Sequence, residues 1–232
     1  MNTICLSENA NVILKNRLRQ QKYELIEIKK TDAVYDAISA HCDIYLCKIG
    51  NELVVAPVQL SLIRDDLRRC GIRFFEGADR VGHTYPANIR YNAAQVGRNL
   101  IHDTSHTDPA ILNIARELGM HIIHVKQGYT KCNLVIVDDN SVITSDLGMV
   151  PALERNNIDV LVVTPGHIKL EGMSYGFLGG CAGRIDFEVI FNGDLSSHPD
   201  FERIVKFIRK KDLRPVWFEE YPLEDIGSIM QL

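Results

Sequence analysis

The chain has 232 residues with 26 Lys and Arg against 30 Asp and Glu, a formal net charge of -4. That is the balance of an ordinary soluble protein, long enough for one large core or two small ones, and it lacks the clustered positive charge that a nucleic-acid partner demands. The first residues carry neither a basic nor an apolar leader, and no apolar run reaches membrane-spanning length, so a cytoplasmic chain without a membrane partner is expected. Six cysteines, at 5, 42, 47, 70, 132 and 181, form no CxxC pair and read as reduced thiols. His83, Cys132, His167 and Cys181 are too widely spaced to suggest a metal site, and no cofactor is expected.

Taken in order, the chain opens with a strand at 3–6, a helix at 10–20 with Val12, Ile13 and Leu18 facing inward, and a strand at 23–28. From residue 42 a unit recurs at intervals of about 45 residues: a small residue, a short polar residue, an apolar strand, a turn, a second strand, a helix and a third strand. Its starts fall at Cys42, Ala87, Cys132, Cys181 and Gly227. Turn residues mark the hairpin tips, Gly50-Asn51, Gly97-Arg98-Asn99 and the 138–141 segment. Leu60, Ile63 and Leu67 stripe the first helix, and Cys70-Gly71 ends it. Asp108-Pro109 caps the second, which buries Ile111, Ile114, Ala115 and Leu118 and stops at Gly119. The 197–200 segment starts another, with Phe201, Ile204, Val205 and Ile208 inward. Third strands are expected at 72–75, 121–125, 159–163 and 215–218.

The last unit breaks off after one strand, while residues 1–30 supply the strand, helix and strand that it lacks. The reading is therefore one α/β domain over 1–232: a five-bladed α/β propeller of ββαβ repeats with pseudo-five-fold symmetry, its last blade closed by both termini so that no sheet edge stays open. The 166–183 stretch, with six glycines, is expected to be a functional loop, since long loops within compact domains usually are.

First strands should line the axis, which makes Asp43, Asn88, Asn133, Ala182 and Ser228 a ring of positions. A buried polar group costs about 1–3 kcal/mol unless paired, so the ring needs either mutual hydrogen bonds or a ligand. His167 and His83 precede two of the units and could stand over one end of the ring. Cys181, after Gly179-Gly180, is a candidate nucleophile if a histidine lowers its pKa, although Cys42 and Cys132 share its slot in the repeat. Tyr129, Tyr175, Glu171, Asp36 and Asp225 lie in segments leading into the repeats. Carboxylates there suit a guanidinium or amine, or else form a solvated face. His102, Asp103, Ser105 and His106 are spaced like a triad with Asp108, which is better used as a helix cap.

Five ββαβ units about a pseudo-five-fold axis resemble the pentein fold of the guanidino-group modifying enzymes: arginine deiminase, dimethylarginine dimethylaminohydrolase, agmatine deiminase and the amidinotransferases. His167-Ile168-Lys169 resembles their catalytic histidine segment, and Lys131-Cys132-Asn133-Leu134 sits where they have Gly-Gly-Asp or Gly-Gly-Asn. The 224–232 segment resembles the one that carries their nucleophilic cysteine, but has Ser228-Ile229 and no cysteine, like bacterial members of the fold that lack that thiol. The resemblance implies a small arginine-like or amine ligand on the axis, with His167 as proton-transfer group and Asp43, Asn88 and Asn133 orienting it. A divergent hydrolase or amidinotransferase-like enzyme would use Ser228, Cys181 or water in place of the cysteine. The alternative is a non-catalytic pentein that binds a macromolecule. Oligomeric state is left open, a homodimer included.

Overall fold

The structure is a computed structural model and describes residues 3–232. It holds five three-stranded sheets. In four of them an antiparallel hairpin is followed by a helix and a third strand parallel to the second. The first has β3 (Leu46–Ile49) and β4 (Glu52–Val55), α3 (Pro57–Arg69) and β5 (Phe74–Glu76). The second has β6 (Ala94–Val96), β7 (Asn99–His102), α4 (Pro109–Glu117) and β8 (His121–His124). The third has β9 (Val135–Asp138), β10 (Ser141–Thr144), α6 (Val150–Arg155) and β11 (Asp159–Val162). The fourth has β12 (Ala182–Ile185), β13 (Glu188–Phe191), α7 (Phe201–Arg209) and β14 (Arg214–Val216).

The fifth sheet draws on both ends of the chain. β1 (Thr3–Ser7) runs parallel to β2 (Glu24–Ile28), which follows α1 (Val12–Gln20), and antiparallel to β15 (Met230–Gln231), with Cys5 opposite both Ile26 and Met230. Every middle strand is buried on both faces, and β1 is buried along its whole length. This explains the continuous apolar runs, since a strand covered on each side has no use for alternation. Apolar clusters bridge neighbouring sheets. Leu60 of α3 joins Ile111 of α4, Ile101 joins Val142, Val135 joins Val189, and Ile190 joins Ile4 and Leu14.

Several local expectations are corrected. The small-residue starts Cys42 and Cys132 lie in single helical turns ahead of their strands, Cys42 as the first residue of α2 (Cys42–Tyr45) and Cys132 within α5 (Thr130–Asn133). The second unit's strand begins at Ala94, because residues 86–92 turn twice, Ile89 N–H donating to Pro86 and Asn92 N–H to Ile89. Asn92 then uses its side chain on the backbone, donating to Asp43 O at 2.9 Å and accepting from Lys131 N–H at 2.8 Å, which competes with ladder pairing. On α1, capped by Asn11, Leu14 and Leu18 are the buried positions and Val12 is 61% exposed. Leu118 ends α4 in solvent. Asp108 does cap α4, accepting from Ala110 N–H, whereas Asp200 accepts from Thr164 N–H at 2.6 Å and leaves α7 uncapped by its side chain.

Removing residues 230–232 takes away β15 and opens one edge of β1. The truncated chain should melt several degrees lower and less cooperatively by calorimetry, with a tendency to associate through the exposed edge. A transition as sharp and as hot as that of the full chain would show that β15 contributes nothing to the fifth sheet.

Candidate functional site

The deepest polar cluster forms where α2, α5 and the C-terminal segment meet. Gly227 and Ser228 both have positive φ, +73° and +71°, a conformation that a serine adopts only when its surroundings impose it. Ser228 N–H donates to Gly180 O at 2.6 Å. Ser228 Oγ accepts from Lys131 Nζ at 3.0 Å and donates its single proton to Asp43 Oδ2 at 2.6 Å, with Gly179 O at 2.9 Å as a second neighbour. Asp43 and Ser228 are fully buried. Burial raises the Asp43 carboxyl and lowers the Lys131 ammonium, while the opposite charge of each draws the other back toward its ionised form.

Beside this cluster lies a cavity of about 730 Å³, lined by segments 35–41, 170–173 and 224–226 together with Ser7, Asn9 and Lys30. Four carboxylates border it. Asp36 pairs with Lys30 and Glu224 with Lys169, which leaves Glu171 and Asp225 without a Lys or Arg partner among the described residues. Asp225 is 4% exposed and accepts from Phe177 N–H and Gly227 N–H, both at 2.9 Å. Burial lifts its carboxyl to about 6. Next to it, His41 is 5% exposed, with Nδ1 3.7 Å from Asp225 Oδ1 and no hydrogen-bond partner. Burial holds its imidazole down at about 4, so at neutral pH it is an uncharged ring that borders the cavity and whose buried Nδ1 lacks a partner.

The glycine-rich stretch makes this geometry possible by being absent where side chains would stand. A Cβ on Gly180 would fall 2.1 Å from Asp225 Oδ1, and one on Gly176 would fall 2.5 Å from Asp225 Cβ. Gly227 is needed for the same reason, since its Cβ would lie 2.2 Å from that of His41. The chain closes around Asp225 and His41 because Gly176, Gly180 and Gly227 let backbone come nearer than any side chain allows.

The residues singled out in the sequence are spread over several environments. Asp43 and Ser228 meet, but neither lines the cavity. Asn133 Nδ2 donates to Tyr129 O, and both polar atoms of the buried Asn88 amide lack a hydrogen bond. Ala182 is buried at the start of β12. His167 sits at φ +66° in solvent, edge-on to His198 at 5.7 Å, and does not line the cavity. His83 is exposed. Cys181 is fully buried and turns its thiol to Leu178 O, with burial pushing its pKa up, which removes the thiolate that a nucleophile requires. Tyr129 meets Tyr35 hydroxyl to hydroxyl at 3.3 Å and stands between the rings of Tyr85 and Phe177. Glu171 borders the cavity, and Tyr175 is 47% exposed. His41 and Lys131 went unnoticed, although each immediately precedes a small residue that opens a unit. The readable signal was there, one residue before the slot instead of one after it.

The fold is similar to that of solved enzymes of the pentein fold. The cysteine-to-serine variant of dimethylarginine dimethylaminohydrolase from Pseudomonas aeruginosa, complexed with citrulline, matches with a TM-score of 0.57 at 10% identity, covering 97% of this chain and 92% of that one. Agmatine deiminase from C. jejuni matches at 0.56 and 11% identity over 99% and 92% of the two chains. SxtG, an amidinotransferase from Microseira wollei, matches at 0.55 and 14% over 88% and 73%. No curated protein matches the sequence. The chain itself belongs to a family of unknown function (DUF6873), whose model matches residues 5–230.

Ser228→Ala removes the hydroxyl that joins Lys131 to Asp43 and keeps an unfavourable φ, so it should cost about 1–3 kcal/mol in denaturant unfolding. Ser228→Gly loses the same bonds but relieves the backbone and should cost less. An alanine variant as stable as the parent would mean that the hydroxyl contributes nothing to holding the two charges.

Proposed function

We propose that the chain binds a small molecule bearing a guanidinium or amine group in the 730 Å³ cavity, with His41 and Asp225 as its buried anchors and Glu171 at the rim. The observation that carries this reading is the unpartnered His41 Nδ1 beside a carboxylate at the cavity wall. An unmet nitrogen buried there costs free energy that a ligand's N–H would recover, and Asp225 and Glu171 would balance the ligand's charge. The structural neighbours include proteins named for agmatine and dimethylarginine and one complexed with citrulline, molecules of the same chemical class. A non-catalytic pentein with a macromolecular partner would leave this imidazole without a purpose.

Covalent chemistry through a thiolate finds no support, because all six cysteines are buried and burial raises the thiols of Cys5, Cys42, Cys47, Cys132 and Cys181. Ser228 has its hydroxyl committed on both sides. Hydrolysis at this site would have to use water, with ionised Asp225 as proton acceptor. The reading also takes 1–232 as one domain whose five sheets surround an axis closed by both termini. In its support, Lys48 of β3, Gln95 of β6, Ile136 of β9, Arg184 of β12 and Gln231 of β15 all line one further cavity, and Lys48 Nζ donates to Gln231 O at 2.8 Å.

Agmatine should stabilise the protein in thermal shift and calorimetry, by about 2.7 kcal/mol at 100 times its dissociation constant, and neutral citrulline should do so less. The pH dependence follows from Asp225. A cation favours the ionised carboxylate, so affinity should be full above pH 6 and fall as pH drops through 6, by at most about tenfold per unit. In Asp225→Asn that dependence should vanish along with most of the affinity. No stabilisation by agmatine, arginine or methylarginines, or an affinity indifferent to pH between 5 and 7, would overturn the assignment.

A further inference from the structure

The second cavity, about 470 Å³, lies at the hairpin-tip end of the first strands, bordered by the tips at Gly50, Gly97, Asp139 and Asp186. It receives one side chain from each of the five sheets, and three of its lining residues are cations: Lys48, Lys131 and Arg184. None of the three makes an ion pair within 4.0 Å among the described residues, whereas Lys15, Arg17, Arg90, Lys169 and Lys211 do. Lys48 Nζ has only the Gln231 carbonyl, Lys131 Nζ only the Ser228 hydroxyl, and Arg184 only Asp186 O, which Nε reaches at 3.2 Å. Partial burial pulls the Lys48 ammonium pKa down with no carboxylate to raise it again.

Neither lining carboxylate forms a direct ion pair with these cations, although, after the hydrogen bond from Tyr23, the Arg184 charge helps hold Asp186 ionised. Asp186 accepts from the Tyr23 hydroxyl and from Gln231 Nε2 at 2.8 Å, and Asp139 sits exposed at a hairpin tip. The lining amides are also occupied. Gln95 accepts from Gly50 N–H and donates to Gly97 O, and Gln231 accepts from Asp186 N–H. Lys131 already faces Asp43 through the Ser228 hydroxyl, so what remains without a carboxylate partner is the Lys48 ammonium of β3 and the free N–H edge of the Arg184 guanidinium of β12.

We propose that this cavity is a binding site for a small oxyanion, the phosphoryl or carboxylate end of a metabolite. Arg184 would offer its free guanidinium edge to two oxygens, and Lys48 would act as the point charge beneath. Lys48 is a partly desolvated ammonium without a carboxylate partner, which is unfavourable, and an oxyanion supplies both the charge and the acceptors. The site is independent of the occupant of the 730 Å³ cavity, whose anchors His41 and Asp225 have no part in the lining.

The test is titration of the full chain with sodium phosphate and with sodium succinate at constant ionic strength, against sodium chloride, followed by thermal shift and by amide chemical shifts. Saturable stabilisation by phosphate, succinate or both, with shifts centred on Gly50, Gly97 and Gly183, is expected; whichever anion binds more tightly identifies the headgroup. Lys48→Gln and Arg184→Gln should each weaken it at least tenfold while agmatine's effect on the protein stays as it was. Arg184 is exposed, so its variant folds even if loss of the Lys48 to Gln231 bond proves costly. A response no greater than that of chloride, or Arg184→Gln binding phosphate and succinate as tightly as the parent, would overturn the proposal.

Discussion

The arrangement at the site rests on one buried carboxylate. Asp225 holds Phe177 N–H with one oxygen and Gly227 N–H with the other, and so ties the end of the glycine-rich stretch to the segment that leads into β15. Each of these is a charge-assisted bond away from solvent, stronger than a neutral amide pair and costly to leave half-made. Gly180 O then accepts from Ile226 N–H and from Ser228 N–H, which draws the two strands of chain close enough to push Ser228 into its left-handed conformation. The position of Ser228 Oγ, and through it those of Lys131 and Asp43, is a consequence of where Asp225 sits.

The same carboxylate explains the electrostatics. With both its lone-pair directions toward backbone N–H groups, Asp225 would ordinarily be held below the usual carboxylate range, yet burial outweighs those bonds and lifts it to about 6. His41, buried against it, is driven the other way. Two neighbours whose proton affinities are pushed toward and past each other remain an anion and a neutral ring near pH 7. They do not form the ion pair that their sequence types suggest, which leaves both able to engage a cationic donor.

Much of the architecture could be read from the chain because it depends on repeated, local signals. Turn residues at Gly50 and Gly97, the Asp108-Pro109 cap and the apolar middle strands each carry their own physical cause, and the strand missing from the last unit pointed to residues 3–7. The site was read less well, for a geometric reason. The position after each small residue is expected to lie on a first strand, but residues 42–45 and 130–133 form helical turns, where each residue rotates by about 100°. That rotation carries the functional direction from the residue after the small one to the residue before it, from Asn133 to Lys131, and adds His41 alongside Asp43. His167 could not be placed from sequence, since its direction depends on a positive φ imposed by the loop and on the ring of His198, 31 residues downstream.

The serine at 228 has a structural role of its own. It is small enough to accept φ +71° and polar enough to stand between an ammonium and a carboxylate, so the position is a joint between Lys131 and Asp43. With that hydroxyl committed, unmet hydrogen-bonding capacity moves outward to the two cavities. One has an acidic border and an unpaired imidazole, the other unpaired ammonium and guanidinium groups. Charges of opposite sign at the two cavities, separated by a satisfied polar joint, are what a scaffold would need to hold a cationic and an anionic molecule at once without letting either reach the other.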